Sequence, residues 1–133
     1  MSQENIEVVR EMVDAFNRDD LEAVIESCDE SCAIIEPSEM PDSPELGFRG
    51  HDGIREWMAN LRGNAGAEFE PRAFTTAGEV VLCELASRGL GRASGVPVEW
   101  TTFAVMSLHQ RKIAEIRVFL SKEQALEAAG LAE

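Results

Sequence analysis

Tyrosine is absent from the 133 residues, so no phenol hydroxyl is available as an acid or as a hydrogen-bond donor. Basic residues are scarce. Twelve Lys and Arg stand against 25 Asp and Glu, and the formal charge of −13 repels both a nucleic-acid backbone and an anionic membrane surface. No apolar run approaches the ~20 residues that cross a bilayer, and Met1-Ser2-Gln3-Glu4 is not a basic region followed by an apolar stretch. The chain is therefore expected to be soluble and cytoplasmic, with no nucleic acid and no membrane among its partners. Cysteine is limited to Cys28, Cys32 and Cys83, an odd number that argues for reduced, buried thiols rather than a disulfide framework. A Gly-rich phosphate loop, a Cys-x-x-Cys pair, a nucleophile elbow and a His-Glu-x-x-His motif are all missing, as are internal repeats and low-complexity tracts. No cofactor is expected, and no metal. Cys28 and Cys32 lack a His or Asp cluster to complete a ligand set, His51 reads as a hydrogen-bonding residue at a helix start, and His109 as a solvated turn residue.

What the chain does have is 44% hydrophobic residues, enough for the core of a single domain spanning 1–133. Ile6, Val9, Met12, Val13 and Phe16 recur at helical spacing and predict a helix over 3–17. Asp19 with Glu22 suggests a capped start for a second, shorter helix carrying Leu21, Val24, Ile25 and Cys28, paired with the first as a hairpin. After an Asp29-Glu30-Ser31 turn, Cys32–Glu36 reads as a brief strand halted by Pro37, followed by a loop in which three prolines fall within residues 37–44. Gly50-His51-Asp52-Gly53 introduces a third helix with Ile54, Trp57, Met58 and Leu61 on one face, ending at Gly63-Asn64-Ala65-Gly66. Four extended segments follow, 68–76, 80–88, 96–108 and 112–120, joined by short connections that predict an antiparallel meander. Pro71 marks the first of them as an edge or a bulge. Ser121 with Gln124 caps a terminal helix running to Gly130.

Alternation assigns faces within this meander. Trp100, Thr102, Ala104, Met106 and Leu108 share one side of the third segment, Ile116, Val118 and Leu120 one side of the fourth, and Cys83 and Ser87 one side of the second. This nearly apolar face requires cover from the helices. The opposite face mixes Arg88, Glu99, Glu115 and Arg117 with Phe103, Val105 and Phe119, and its greasiness suggests a homodimer through the outer sheet face.

Ile6-Glu7-Val8-Val9-Arg10, the run Ala15 to Val24, the run Phe48 to Trp57 and the run Lys112 to Phe119, in this order of elements, resemble the SnoaL-like branch of the nuclear transport factor 2-like superfamily. That resemblance implies an α+β cone: a curved antiparallel sheet wrapped around an N-terminal helix hairpin plus a third helix, with an internal pocket. It also implies scaffolds related to ketosteroid isomerase and limonene epoxide hydrolase. Glu36, just before Pro37, matches the position of the isomerases' general base, and a carboxylate stripped of hydration in apolar surroundings is the stronger base. The bland alternative is a solvated Glu36 at the pocket rim, or one paired with an arginine such as Arg49. Met12 and Ala104 stand where the resemblance places the phenol and carboxylic acid of the oxyanion hole, and Val118 where cyclase-like and epoxide-hydrolase-like members carry an aspartate. Ketosteroid isomerase chemistry is thereby disfavoured.

Three functions stay open. The first is binding of a small apolar or aromatic molecule in a pocket lined by Met12, Phe16, Trp57, Leu61, Cys83, Trp100, Thr102, Ala104, Met106, Ile116, Val118 and Leu120, with Glu36 as polar anchor. The second is an isomerase or cyclase acting on a polyketide-like or steroid-like carbonyl compound with Glu36 as general base. The third is an interaction module without a ligand, presenting its acidic surface to a basic partner.

Overall fold

The computed structural model describes residues 2–37, 47–64, 66–90 and 95–131. Its elements are α1 (Ser2–Asn17), α2 (Leu21–Glu26), β1 (Cys28–Ile35), β2 (Phe48–Arg49), α3 (Gly50–Met58), β3 (Glu68–Ala77), β4 (Val80–Leu90), β5 (Pro97–His109), β6 (Lys112–Phe119) and α4 (Lys122–Ala128). The expected proline loop lies outside the described residues from Ser38 onward.

Along α1 the spacing of apolar residues does what the periodicity predicts: Val9, Met12, Val13 and Phe16 are buried together on one face. The helix hairpin forms, with its cap shifted by one residue. Asp19 takes a left-handed φ of 59°, and Asp20 caps α2, its carboxylate accepting from the Ala23 N–H at 3.2 Å. Cys28 is not on α2, as the spacing suggested, but opens β1. The cause is tertiary: the Ser27 carbonyl accepts from the Ile113 N–H at 2.9 Å, and Cys28 pairs with Ile113, so β6 captures backbone that another helical turn would have used. Asp29-Glu30-Ser31, expected as a turn, is the irregular part of β1. There the register advances from Cys28 to Ala33 against only Ile113 to Glu115, and the Ser31 hydroxyl donates to the Asp29 carboxylate at 2.6 Å. These Ser31 hydrogen bonds hold the Asp29 carboxyl below its ordinary range.

One six-stranded sheet has the order β2-β1-β6-β5-β4-β3. β3 to β6 form the antiparallel meander, whereas β1 runs parallel to β6. β3 is an edge strand, and its register slips between Pro71 and Ala73, where a residue without an N–H costs no ladder bond. The α1 end is fastened to this edge by Asn17, whose amide donates to the Phe69 carbonyl at 2.8 Å and accepts from the Phe69 N–H at 2.9 Å. One side chain thus supplies the pair of hydrogen bonds that a neighbouring strand would give.

Two layers of packing result. The inner sheet face is covered by α1 and α3, with Phe16 between Trp57 (ring centroids 5.1 Å apart) and Phe69 (4.8 Å). The outer face carries a smaller apolar cluster in which Leu82 and Val105 are buried against Ala125 and Ala129, with Phe103, Phe119 and Leu126 beside them. Part of the cover that the outer face was expected to need is therefore supplied by α4 and the turn after it. Ser121 caps α4 as its sequence suggested, accepting from the Gln124 N–H. No helix among the described residues is long and apolar enough to cross a membrane.

Candidate functional site

α3 brings Ile54, Trp57 and Met58 inward and then changes pitch: Ala59–Asn64 winds as a π-helix rather than continuing the α-helix expected through Leu61. Wide turns of this kind recur beside functional sites because they re-aim side chains. Here the turn presents Leu61 to a cavity enclosed between α1, α3 and the inner sheet face, which Met12, Val13, Phe16, Trp57, Phe69, Leu85, Trp100, Thr102, Ala104, Met106, Ile116 and Val118 also line, with Glu36 at β1's end. The cavity measures about 30 Å³. One water needs roughly 10–15 Å³ on this measure, so the enclosed space is that of about two waters.

The structure brings Glu36 together with Met12, Ala104 and Val118 around this one cavity. Cys83 and Leu120, expected among its walls, are not there. Cys83 has the correct strand parity and pairs with the wall residue Ala104, but it lies one strand further along the sheet, fully buried beside Phe74 and Arg10, and does not reach the hollow. Leu120 follows the end of β6, so alternation no longer governs it, and it is 41% exposed. Val13, Phe69 and Leu85 were missed as wall residues. For Leu85 the signal existed, since it shares the parity of Cys83 and Ser87; Phe69 required the β3 register, which pairs it with Ser87.

Polar groups near the cavity are few. The Ser87 and Thr102 hydroxyls, both buried, lie 3.5 Å apart. Two wider surface grooves of about 560 Å³ each flank the site. One shares Phe69 and Trp100 with the cavity and is otherwise mostly charged, with Arg88 paired to Glu68 and Arg72 to Glu70 at 3.2 Å. The other, between β6 and α4, shares Glu36 and Val118 with it. Glu36 therefore borders both the apolar interior and an open groove, the position from which a carboxylate can reach a buried ligand.

Burial pushes the Cys83 thiol up to about 12, and a side-chain hydrogen bond with Cys32, followed by burial, pushes Cys28 up as well. At pH 8 the native protein is expected to leave Cys28, Cys32 and Cys83 unreactive toward Ellman's reagent, with all three reacting after unfolding in guanidinium. Fast labelling of a native thiol would contradict this. Because the raised folded values of Cys28 and Cys83 lie above those of the unfolded chain, these two thiols favour folding below about pH 8.5. That stability is lost as pH rises toward 12. Among the described residues no group of three His, Cys, Asp or Glu side chains is placed to hold a metal ion.

A helix pair and a third helix laid into a curved six-stranded sheet, enclosing a mostly apolar hollow, define the cone fold of nuclear transport factor 2-like proteins. Within that class the chain belongs to the SnoaL-like domain family, whose pattern matches residues 9–116. Solved structures agree in fold. A candidate SnoaL-like polyketide cyclase from Jannaschia sp. CCS1 is 18% identical, covering 98% of this chain and 94% of its own with a TM-score of 0.75. The epoxide hydrolase/cyclase-like enzyme SalBIII is 23% identical over 91% of this chain and 93% of its own, TM-score 0.75. TerC, co-crystallised with polyporic acid, is 19% identical over 95% and 97%, TM-score 0.78. No curated protein matches the chain by sequence.

Proposed function

We propose that this protein binds a small apolar or aromatic molecule in the cone cavity. The observation that supports the reading is the lining, which consists of aliphatic, thioether and aromatic side chains apart from Glu36 and Thr102. Apolar ligand surface moved there from water gains about 25 cal/mol per Å². A ring system exceeds the closed cavity, so binding requires side chains to yield, and Met12 and Met106 have the unbranched, adaptable chains for it. TerC, of similar fold, was co-crystallised with polyporic acid, which favours use of the scaffold as a binding site here.

The test is thermal unfolding with toluene, ethylbenzene and naphthalene. A ligand at a hundredfold excess over its Kd stabilises the folded state by about 2.7 kcal/mol, a rise of several degrees in Tm. No shift with any of the three overturns the reading.

Glu36 favours a second reading, in which its carboxylate takes the α-proton of a polyketide-like or steroid-like carbonyl compound and returns it elsewhere, as an isomerase or cyclase does. That reading expects hydrogen–deuterium exchange at the α-carbon of enolisable ketones, abolished by Glu36→Gln. Absence of exchange with the wild type removes it.

A further inference from the structure

Trp57 on α3 and Trp100 on β5 both line the cavity, and both carry a buried indole Nε1–H with no hydrogen-bond partner among the described residues. Trp57 as a whole is 5% exposed. An indole N–H is a donor only, so nothing but an acceptor can satisfy it. More than nine in ten buried polar groups find partners, and each one left without costs roughly 1–3 kcal/mol. Two such donors, carried by two side chains that line one small hollow, are therefore a feature to be explained. The rest of the lining cannot explain it. Thr102 is engaged with Ser87, Glu36 lies at the end of β1, and the other walls are aliphatic, thioether or phenyl groups.

We propose that Trp57 and Trp100 are the donors for an acceptor oxygen on the ligand, and that the ligand is a neutral carbonyl compound. A carbonyl oxygen offers two lone pairs and no proton, the complement of two N–H groups. An anionic ligand fits poorly: Glu36 borders the same cavity, and the chain carries a formal charge of −13. With no tyrosine in the chain and the Thr102 hydroxyl engaged with Ser87, the indoles are the neutral side-chain donors left in the lining to read such an oxygen. This rests on the cavity being a binding site, and deepens that reading by naming the chemistry of the occupant.

The experiment compares acetophenone with α-methylstyrene, which has the same phenyl ring and shape with C=CH2 in place of C=O. Because the chain has two tryptophans, a 15N–1H spectrum of the wild type shows two indole signals, one for each donor. Acetophenone is expected to bind about tenfold more tightly than the alkene and to move both indole protons downfield, which the alkene does not do. Trp57→Phe and Trp100→Phe keep a ring in place and remove one donor each. Each is expected to weaken acetophenone about three- to tenfold more than it weakens α-methylstyrene, the worth of one neutral hydrogen bond. The wild-type spectrum decides the matter even if a variant fails to fold. Equal binding of the two probes, or downfield movement of neither or only one indole signal, overturns the proposal while leaving apolar binding intact. Binding of neither probe overturns the cavity as a binding site and this inference with it.

Discussion

Phe16→Ala is expected to lower the unfolding free energy by about 3–5 kcal/mol, measured by denaturant titration. The ring is fully buried, stacks at a tilt between Trp57 and Phe69, and faces the cavity, so the loss combines apolar transfer with a void. The neighbours cannot close it easily. Trp57 is held on α3, and Phe69 is pinned through its backbone by Asn17. The enlarged hollow is lined mostly by apolar and aromatic side chains, the kind of surface that accepts benzene. Adding benzene is therefore expected to restore part of the lost stability in Phe16→Ala and to add less to the wild type. A loss below about 1 kcal/mol would mean that the ring is not the centre of the packing.

Gly47→Ala is the second large effect, expected to cost about 2–4 kcal/mol. The backbone of Gly47 has φ +78°, and a Cβ there would lie 2.6 Å from the Ile34 carbonyl oxygen and 3.2 Å from Ile35 Cγ1. Left-handed backbone alone costs an ordinary residue about 1–2 kcal/mol. The clash with a paired strand adds to it, because Ile34 is committed to Phe48 on one side and Ile116 on the other. Gly78→Ala is the matched control: φ is +59° there and the space around its Cβ is open, so about 1–2 kcal/mol is expected. Equal losses at the two glycines would show that the close approach over Ile34 has no energetic weight.

How much of this was legible depended on the range of the interaction. Alternation alone puts Trp100, Thr102, Ala104 and Met106 on one face, because a strand's two faces repeat every second residue whatever lies around it; that a pocket lies over that face is what the SnoaL-like resemblance implies. Met12, Phe16 and Trp57 followed from helical period in the same way. Cys28 was misplaced because helix spacing continues past Ser27, while the pairing with Ile113 that ends the helix comes from 85 residues away (113 minus 28). Cys83 shows the limit of parity: it predicts the side of a strand, not which residues on that side reach the hollow, since Cys83 is level with the wall residue Ala104 and still does not line it.

Local sequence, then, determined which residues turn inward and in what order helices and strands occur, because those properties depend on neighbours within a few positions. Tertiary structure decided that β1 lies parallel to β6, that α4 covers part of the outer face, and that the hollow has room for only about two waters. It also decided that two side chains lining that hollow carry indole donors with no acceptor among the described residues. Those outcomes follow from how distant segments close on one another, and a hydrogen bond left unmade has no signature in the chain.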